Sequence, residues 1–132
     1  MEVYDDVNNP RHYTEYYPLQ PIDVIENTQM SYNLGQIFKY LVRAPYKNNE
    51  LEDLKKAKYY VKLLKSEEIK NFLNFPFSKK YIYEFFEKAL DKNALSPFIF
   101  FNAFDESFAN KDDQSFVKLL KEQIESRIEY LS

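Results

Sequence analysis

Lys39 and Arg43 stand one helical turn apart in this sequence, with Tyr40 beside them, on the side of a predicted helix opposite its apolar residues. Neither cation has an acid four residues away, although two like charges at that spacing repel by about 0.3 kcal/mol. An Arg side chain offers phosphate a planar fork, and a Lys side chain offers a mobile point charge. The pattern predicts an unpaired cationic site for an anionic ligand, which Lys47, just beyond the helix, can also reach.

Other interpretations of these charges stay open. Asp23, Glu26 or the acidic N-terminal segment could neutralise the two cations within the chain, which would make a routine network of ion pairs. Glu26, Glu52 and Asp53 are the carboxylates nearest in sequence, and hard cations such as Mg²⁺ prefer oxygen ligands of this kind. For Glu52 a role in capping the following helix is an equal alternative, and Asp53 can pair with Lys56.

The residue types that are scarce exclude several kinds of site. The 132 residues include one glycine, one histidine and no cysteine. A glycine-rich phosphate loop of the Walker or dinucleotide-binding kind therefore cannot form, and zinc sites made of thiolates or of several histidines are excluded too. The single glycine, Gly35, lies near the start of the helix that carries Lys39, where a ligand or another backbone could approach closely.

Charge is unevenly distributed along a chain whose net charge is −3. Residues 1–38 carry one base against six acids, residues 39–65 carry eight bases against three acids, and residues 66–132 carry nine bases against twelve acids. A basic block within an acidic chain favours a local anionic ligand, whereas the acidic whole disfavours long duplex nucleic acid. The lack of cysteine and of any apolar run near 20 residues favours a cytoplasmic protein that does not enter membranes.

The N-terminal segment differs from the rest in its composition. Residues 1–21 contain three prolines and show no sustained periodicity, so we expect an extended, tyrosine-rich arm. Within it, His12 and Tyr13 offer a proton acceptor near neutral pH and an aromatic face that could stack on a base. Pro21 can open a short helix over residues 22–30.

The periodicity of apolar residues predicts a mainly α-helical domain. One amphipathic helix ends at Pro45 and has its apolar residues at Leu34, Ile37, Phe38, Leu41 and Val42. Asn49 and Glu52 have the spacing of a capping pair that opens the next helix, which reaches about Lys65. We expect these two helices to be antiparallel and to form the centre of a single compact domain over residues 1–132.

Residues 66–132 are harder to assign. Residues 79–92 are typical of a helix, whereas the aromatic stretch 97–104 fits a buried strand as well as a buried helix. Asp112 and Asp113 suit the first turn of a last helix. The apolar face of that helix consists of Phe116, Leu120, Ile124, Ile128 and Leu131. We expect this face to pack into the core, with a partner-helix surface as the alternative.

Four short motifs follow one another in a recognisable order. They are Asn-Pro-Arg-His-Tyr at 9–13, Ile-Asp-Val-Ile-Glu at 22–26, Leu-Gly-Gln-Ile-Phe-Lys-Tyr-Leu-Val-Arg-Ala at 34–44, and Glu-Asp-Leu-Lys-Lys-Ala-Lys-Tyr-Tyr at 52–60. Over residues 8–65 the chain resembles the small phage-encoded SaV-like family, which includes a nucleotide kinase that lacks a Walker loop. Gln36 stands where that family usually has Asn, and residues 66–132 form a phenylalanine-rich extension outside the resemblance.

The resemblance implies a compact helical protein that handles nucleoside phosphates. Matched residue by residue, its polar site groups and aromatic walls are His12, Tyr13, Lys39, Tyr40, Arg43 and Asp53. The first hypothesis is phosphoryl transfer from a triphosphate to a nucleoside monophosphate, because such catalysis rests on positioning and on neutralising phosphate charge. In it Lys39 and Arg43 stabilise the transferred group. His12 or Asp53 acts as the base on the acceptor.

The second hypothesis is a non-catalytic sponge that sequesters a nucleotide second messenger of bacterial anti-phage defence. Its ligand would be a cyclic or otherwise modified nucleotide, held in a pocket or homo-oligomeric cage that residues 66–132 help to build. Mg²⁺ accompanying the nucleotide is the one cofactor considered, and the host cell cytosol is the expected location. A Mg²⁺-dependent pyrophosphatase ranks lower because paired Glu-x-x-Glu and Glu-x-x-Asp motifs are missing around Glu26 and Glu52. A plain interaction module is the remaining alternative.

Overall fold

The computed structural model of the protein describes residues 19–46, 48–88 and 91–132. These ranges contain seven α-helices and no β-strand, which confirms the mainly α-helical prediction. The helices are α1 (Pro21–Asn27), α2 (Tyr32–Arg43), α3 (Glu50–Leu63), α4 (Ser66–Asn74), α5 (Ser78–Glu87), α6 (Leu95–Phe108) and α7 (Asp113–Leu131). None of these described helices is both long and apolar enough to cross a membrane.

Helix α2 follows the amphipathic prediction closely. The Ser31 hydroxyl caps its start by accepting a hydrogen bond from the Leu34 backbone N–H at 3.2 Å. All five residues of the predicted apolar row are fully buried. Helix α2 ends at Arg43, and the chain continues through a 3₁₀ turn, Ala44–Tyr46, that includes Pro45. The opposite side of α2 is therefore left to face solvent.

Helices α2 and α3 are antiparallel, as expected. Arg43 at the end of α2 contacts Asp53 near the start of α3, whereas Tyr32 at the start of α2 contacts Tyr60 near the end of α3. The predicted capping pair is wrong, because the side chain of Asn49 makes no cap hydrogen bond. Its backbone φ of −157° and ψ of 47° differ from the extended geometry of a capping residue, and its carbonyl accepts from the Asp53 N–H instead.

One hydrophobic cluster takes buried residues from all seven helices. Its largest fully buried side chains are the rings of Phe38, Phe72, Phe85, Phe86, Phe100, Phe104 and Phe116. Phe38 of α2 lies 5.0 Å from Phe100 and 5.4 Å from Phe85, measured between ring centroids. The inner side of α2 is thus anchored among rings of the second half of the chain.

The second half is helical throughout its described part. The aromatic stretch 97–104 lies inside α6, which decides between the strand and the helix that the sequence left open. The helix expected over 79–92 is present as Ser78–Glu87, and Leu90 lies outside the described residues. In α7 the predicted face packs into the core, since Phe116, Leu120 and Ile124 are fully buried. Ile128 and Leu131 pack against the same cluster.

Gly35 lies at the crossing of α1 and α2 rather than beside an open surface. It is buried, and a Cβ atom at this position would stand 3.2 Å from Cγ2 of Ile25. The close approach at Gly35 is therefore the approach of α1, which packs on the first turns of α2, and a larger residue would require the side chain of Ile25 to shift.

Candidate anion site on the outer face of α2 and α3

Arg43 has a counter-ion inside the chain. Its Nε donates to Oδ2 of Asp53 at 3.1 Å, and its Nη2 donates to Oδ1 at 2.7 Å. The prediction that both cations of α2 lack an internal partner is therefore wrong for Arg43. The sequence analysis considered acids four residues from Arg43 on the same helix. Asp53 lies instead in the first turn of α3, and the turn between α2 and α3 brings it back to Arg43.

Asp53, the predicted base, is buried and has both carboxylate oxygens engaged by Arg43. It is held where acidic groups are favoured, in the first turn of α3. In this arrangement Asp53 fixes the guanidinium of Arg43 in place. Its role as a base stays a prediction.

Three cations surround the ring of Tyr40. The Cζ of Arg43 lies 4.9 Å from the ring centroid, Nζ of Lys39 lies 5.2 Å from it, and Nζ of Lys56 lies 5.5 Å from it. The electron-rich face of an aromatic ring attracts each of them. Within the described ranges Lys39 and Lys56 form no ion pair with a carboxylate. The structure thus concentrates positive charge around one tyrosine.

A group of tyrosines extends this site toward the other end of the two helices. The rings of Tyr40 and Tyr60 are stacked, with centroids 6.2 Å apart and planes inclined by 18°. Tyr32 and Tyr59 meet Tyr60 edge-on at 6.1 Å and 5.2 Å. We call this surface the tyrosine–lysine face. It consists of Tyr32, Lys39, Tyr40 and Arg43 of α2 and Glu52, Lys55, Lys56, Tyr59 and Tyr60 of α3.

The tyrosine–lysine face contains an open depression of about 460 Å³. Its lining residues are Tyr40, Glu52, Lys55, Lys56, Tyr59 and Tyr60. Aromatic faces and lysine ammonium groups line the same concavity, with Glu52 as its one acid. An anion that also carries a flat ring can therefore meet both kinds of group at once.

The electrostatics of Lys39 and Tyr60 reflect this crowding. Burial and the neighbouring charge of Arg43 lower the pKa of Lys39 below its ordinary 10.5, with Lys56 acting in the same direction. A side-chain hydrogen bond between Tyr60 and Tyr32 that favours the protonated hydroxyl of Tyr60, followed by burial, raises the pKa of Tyr60 above its ordinary 10.0. An anion bound between the cations would favour the charged form of Lys39 and reverse its shift.

The remaining predicted site residues are either outside the described part of the chain or not arranged as expected. His12, Tyr13 and Lys47 lie outside the described residues. Among the residues that are described, no group of three or more carboxylate or histidine side chains is arranged to hold a metal ion. Glu26, Glu52 and Asp53 therefore do not form the carboxylate cluster considered above, and Asp53 is already bonded to Arg43. These residues do not fit a metal held by the protein alone.

Lys56, Tyr59 and Tyr60 are site residues that the sequence argument did not select. A signal for them was present, since Lys55 and Tyr59, and Lys56 and Tyr60, are spaced four residues apart on α3. Only the antiparallel packing of α2 and α3 shows that these tyrosines stand beside Tyr40.

Comparison with known proteins gives one match. Residues 7–62 match a family described as a protein of unknown function, DUF3310. The matched segment includes α1, α2 and all but the last residue of α3, and hence the whole tyrosine–lysine face. No curated protein and no solved structure matches the chain. The site thus lies in the part of the chain that has relatives, whereas α4–α7 lie outside the match.

Proposed function

We propose that this protein binds nucleoside phosphates on the tyrosine–lysine face. The observation that carries the proposal is the placement of Lys39, Arg43 and Lys56 within 5.5 Å of the Tyr40 ring centroid. The phosphate contacts the two lysines, while the guanidinium of Arg43, held in place by Asp53, lies beside the Tyr40 ring. The base stacks on the tyrosines of α3, since aromatic stacking and cationic groups are what a nucleotide needs.

Phosphoryl transfer to a nucleoside monophosphate is the catalytic form of this proposal. The resemblance to the phage SaV-like family supports it, because the Lys-Tyr-x-x-Arg motif of that resemblance is Lys39, Tyr40 and Arg43 here. His12 then acts as the base and Tyr13 as a further wall. Mg²⁺ would enter with the nucleotide, and the protein would work in the cytosol of a phage-infected cell.

Sequestration without turnover is the second candidate, and one observation favours it. Both oxygens of Asp53 accept hydrogen bonds from Arg43, so this carboxylate serves to hold a cation. A sponge for a cyclic or modified nucleotide requires cations and aromatic rings and no base. It would release its ligand unchanged on denaturation, and a homo-oligomer would enclose the open depression more fully.

The test combines binding and turnover in one set of samples. The protein is incubated with a labelled nucleoside triphosphate, Mg²⁺ and each of the common monophosphates, and products are separated by chromatography. Diphosphate formation supports the kinase, and tight binding of a cyclic nucleotide recovered intact supports sequestration. Lys39→Ala should abolish either result, whereas Lys118→Ala, which removes an exposed lysine of α7, should not. No binding of any nucleotide by calorimetry would refute the proposal.

A further inference from the structure

The tyrosine–lysine face is longer than a single nucleotide requires. From Tyr32 to Arg43 it follows the whole of α2, a distance of about 16 Å at 1.5 Å per residue. At the 3.4 Å spacing of stacked bases in one strand, that length corresponds to about four to five nucleotides. A mononucleotide bound at Tyr40 would leave the Tyr32 end of the face uncovered.

The uncovered end offers exposed aromatic rings. Tyr32 is 71% exposed and Tyr59 is 57% exposed, and both flank Tyr60. Their rings do not contribute to the core, in contrast to the buried phenylalanines. Successive unpaired bases stack on side chains of this kind, and the preference for sequence is weak because every base has a flat face.

The charges along the face suit a phosphate backbone. Among the described residues of this face, Glu52 is the one acid that opposes Lys39, Lys55 and Lys56, because Asp53 is bonded to Arg43. Lys55 lies one turn before Tyr59 on α3, and Lys56 lies one turn before Tyr60, so a turn with two cations is followed by a turn with two rings. Basic groups interleaved with aromatic rings are the usual features of surfaces that bind single-stranded nucleic acid.

We propose that the tyrosine–lysine face binds a short single-stranded oligonucleotide of about four residues. The inference rests on the proposed function, since the nucleoside phosphate held at Tyr40 becomes one unit of the strand. Bases stack on Tyr32, Tyr59 and Tyr60, and the three lysines contact phosphates. A duplex is excluded from this mode because its bases are already stacked on one another. DNA and RNA strands share the recognised chemistry.

The test is a length series. Calorimetry compares thymidine 5′-monophosphate with 5′-phosphorylated thymidylate strands of two, four and eight residues, with a uridylate tetramer and with a blunt duplex. We expect affinity to rise at least tenfold from the monomer to the tetramer, because each further stacked base adds about that factor. It should change little beyond that length, and the duplex should not compete. With three lysines in contact, log K should fall with log salt with a slope of about −2.

Matched tyrosine variants locate the strand. Tyr32→Ser should remove most of the gain from monomer to tetramer and leave binding of the monomer unchanged, because Tyr32 lies outside the lining of the depression beside Tyr40. Tyr130→Ser is the control, since Tyr130 is 77% exposed at the end of α7 and lies outside the face. Both residues are exposed, so the variants should fold, which their circular dichroism verifies.

The outcomes separate the two proposals. Equal affinity for monomer and tetramer would overturn the oligonucleotide inference and leave nucleoside phosphate binding intact. Tetramer binding without monomer binding would support the inference and refute the mononucleotide function. If neither binds, both proposals fail. A length effect that Tyr130→Ser reduces as much as Tyr32→Ser does would also overturn the inference, because the strand would then lie elsewhere.

Discussion

Two arginine–carboxylate pairs meet the first turn of α3, and they differ in what they join. Arg43 and Asp53 are ten residues apart and connect α3 to its neighbour α2. Arg127 and Glu50 are 77 residues apart, and Nε of Arg127 donates to Oε2 of Glu50 at 3.1 Å. The Ser96 hydroxyl donates to the same Glu50 oxygen at 2.6 Å, which brings the start of α6 into the contact.

The environments of the two carboxylates differ as much as their partners do. The side chain of Asp53 is 3% exposed, whereas that of Glu50 is 21% exposed. Burial leaves Asp53 little access to water, so its two oxygens rely on Arg43 for hydrogen bonds, while Glu50 has two donors and partial hydration. The first turn of α3 thus has two functions. Asp53 orients Arg43 at the candidate site, whereas Glu50 joins α3 to α6 and α7 in the second half of the chain.

The largest effect should come from breaking the buried pair. Asp53→Ala leaves Arg43 without its carboxylate, and we expect the free energy of unfolding to fall by about 3 kcal/mol. Nucleotide binding should weaken as well, because Arg43 loses its fixed orientation beside Tyr40. Urea unfolding and calorimetry measure the two effects. A stability loss below about 1 kcal/mol would mean that this pair contributes no more than a surface ion pair, and the difference between Arg43–Asp53 and Arg127–Glu50 would disappear.

A double substitution provides the control for that experiment. Replacing Arg43 by Met together with Asp53 by Leu removes both charges, and apolar side chains of similar size often restore the stability lost with one partner. We expect the double variant to recover most of the stability and none of the nucleotide affinity. Recovery of both would show that Arg43 plays no part in the site.

A smaller effect is expected at the second pair. Glu50→Gln keeps acceptor and shape but removes the charge, and should cost about 1 kcal/mol at neutral pH. Nucleotide affinity should be unchanged, since Glu50 lies outside the tyrosine–lysine face. Glu125→Gln, in an exposed pair with Lys58, is the matched control and should cost less. A loss of nucleotide affinity in Glu50→Gln would mean that the Arg127–Glu50 pair also influences the tyrosine–lysine face.

The lowered pKa of Glu50 predicts how the Arg127–Glu50 pair contributes to stability as the pH changes. Burial alone would raise the pKa of Glu50, but hydrogen bonds from Arg127 and Ser96 outweigh it and hold that pKa below the ordinary 4.5. The stabilisation is therefore present above 4.5 and disappears as the pH falls through the lowered value. Thermal unfolding below pH 4.5 should be less steeply pH-dependent in Glu50→Gln than in the wild type.

The smallest effect concerns Lys39 and the binding of a monophosphate in mildly alkaline solution. Because its pKa lies below 10.5, Lys39 loses its proton earlier than an ordinary lysine. We expect the affinity for deoxyadenosine monophosphate to fall in alkaline solution at pH values below 10.5, earlier than an ordinary lysine would allow. Lys39→Arg keeps its charge at these pH values and should abolish the fall. An equal fall in both proteins would assign it to another group.

The sequence predicted those helices whose apolar residues form a single stripe. In α2 and α7 the stripe separates buried from exposed positions, so periodicity found both helices and their inner faces. It could not assign α6, because aromatic residues occupy several sides of that helix, and only its fourteen-residue length in the structure identifies it. The helix α4, Ser66–Asn74, was not predicted at all.

The candidate site was predicted only in part, for a physical reason. Lys39, Tyr40 and Arg43 lie on one helix, where spacing along the chain determines which side chains are neighbours. The partner of Arg43 and the neighbours of the Tyr40 ring come from α3, and their identity depends on how the two helices are aligned. Periodicity carries no information on that alignment, so spacing along the chain pointed to Lys56 as the partner of Asp53, and the resemblance gave Asp53 the role of a base.

One side of helix α2 packs into the core, and the other side carries residues of the candidate site. Phe38 and its buried neighbours hold the helix among the phenylalanine rings, while Gln36, Lys39 and Tyr40 are only half-buried on the other side. A library randomised at those three positions could consequently be screened for altered ligand preference without sacrificing the scaffold. The protein is in this sense a natural starting framework for directed evolution.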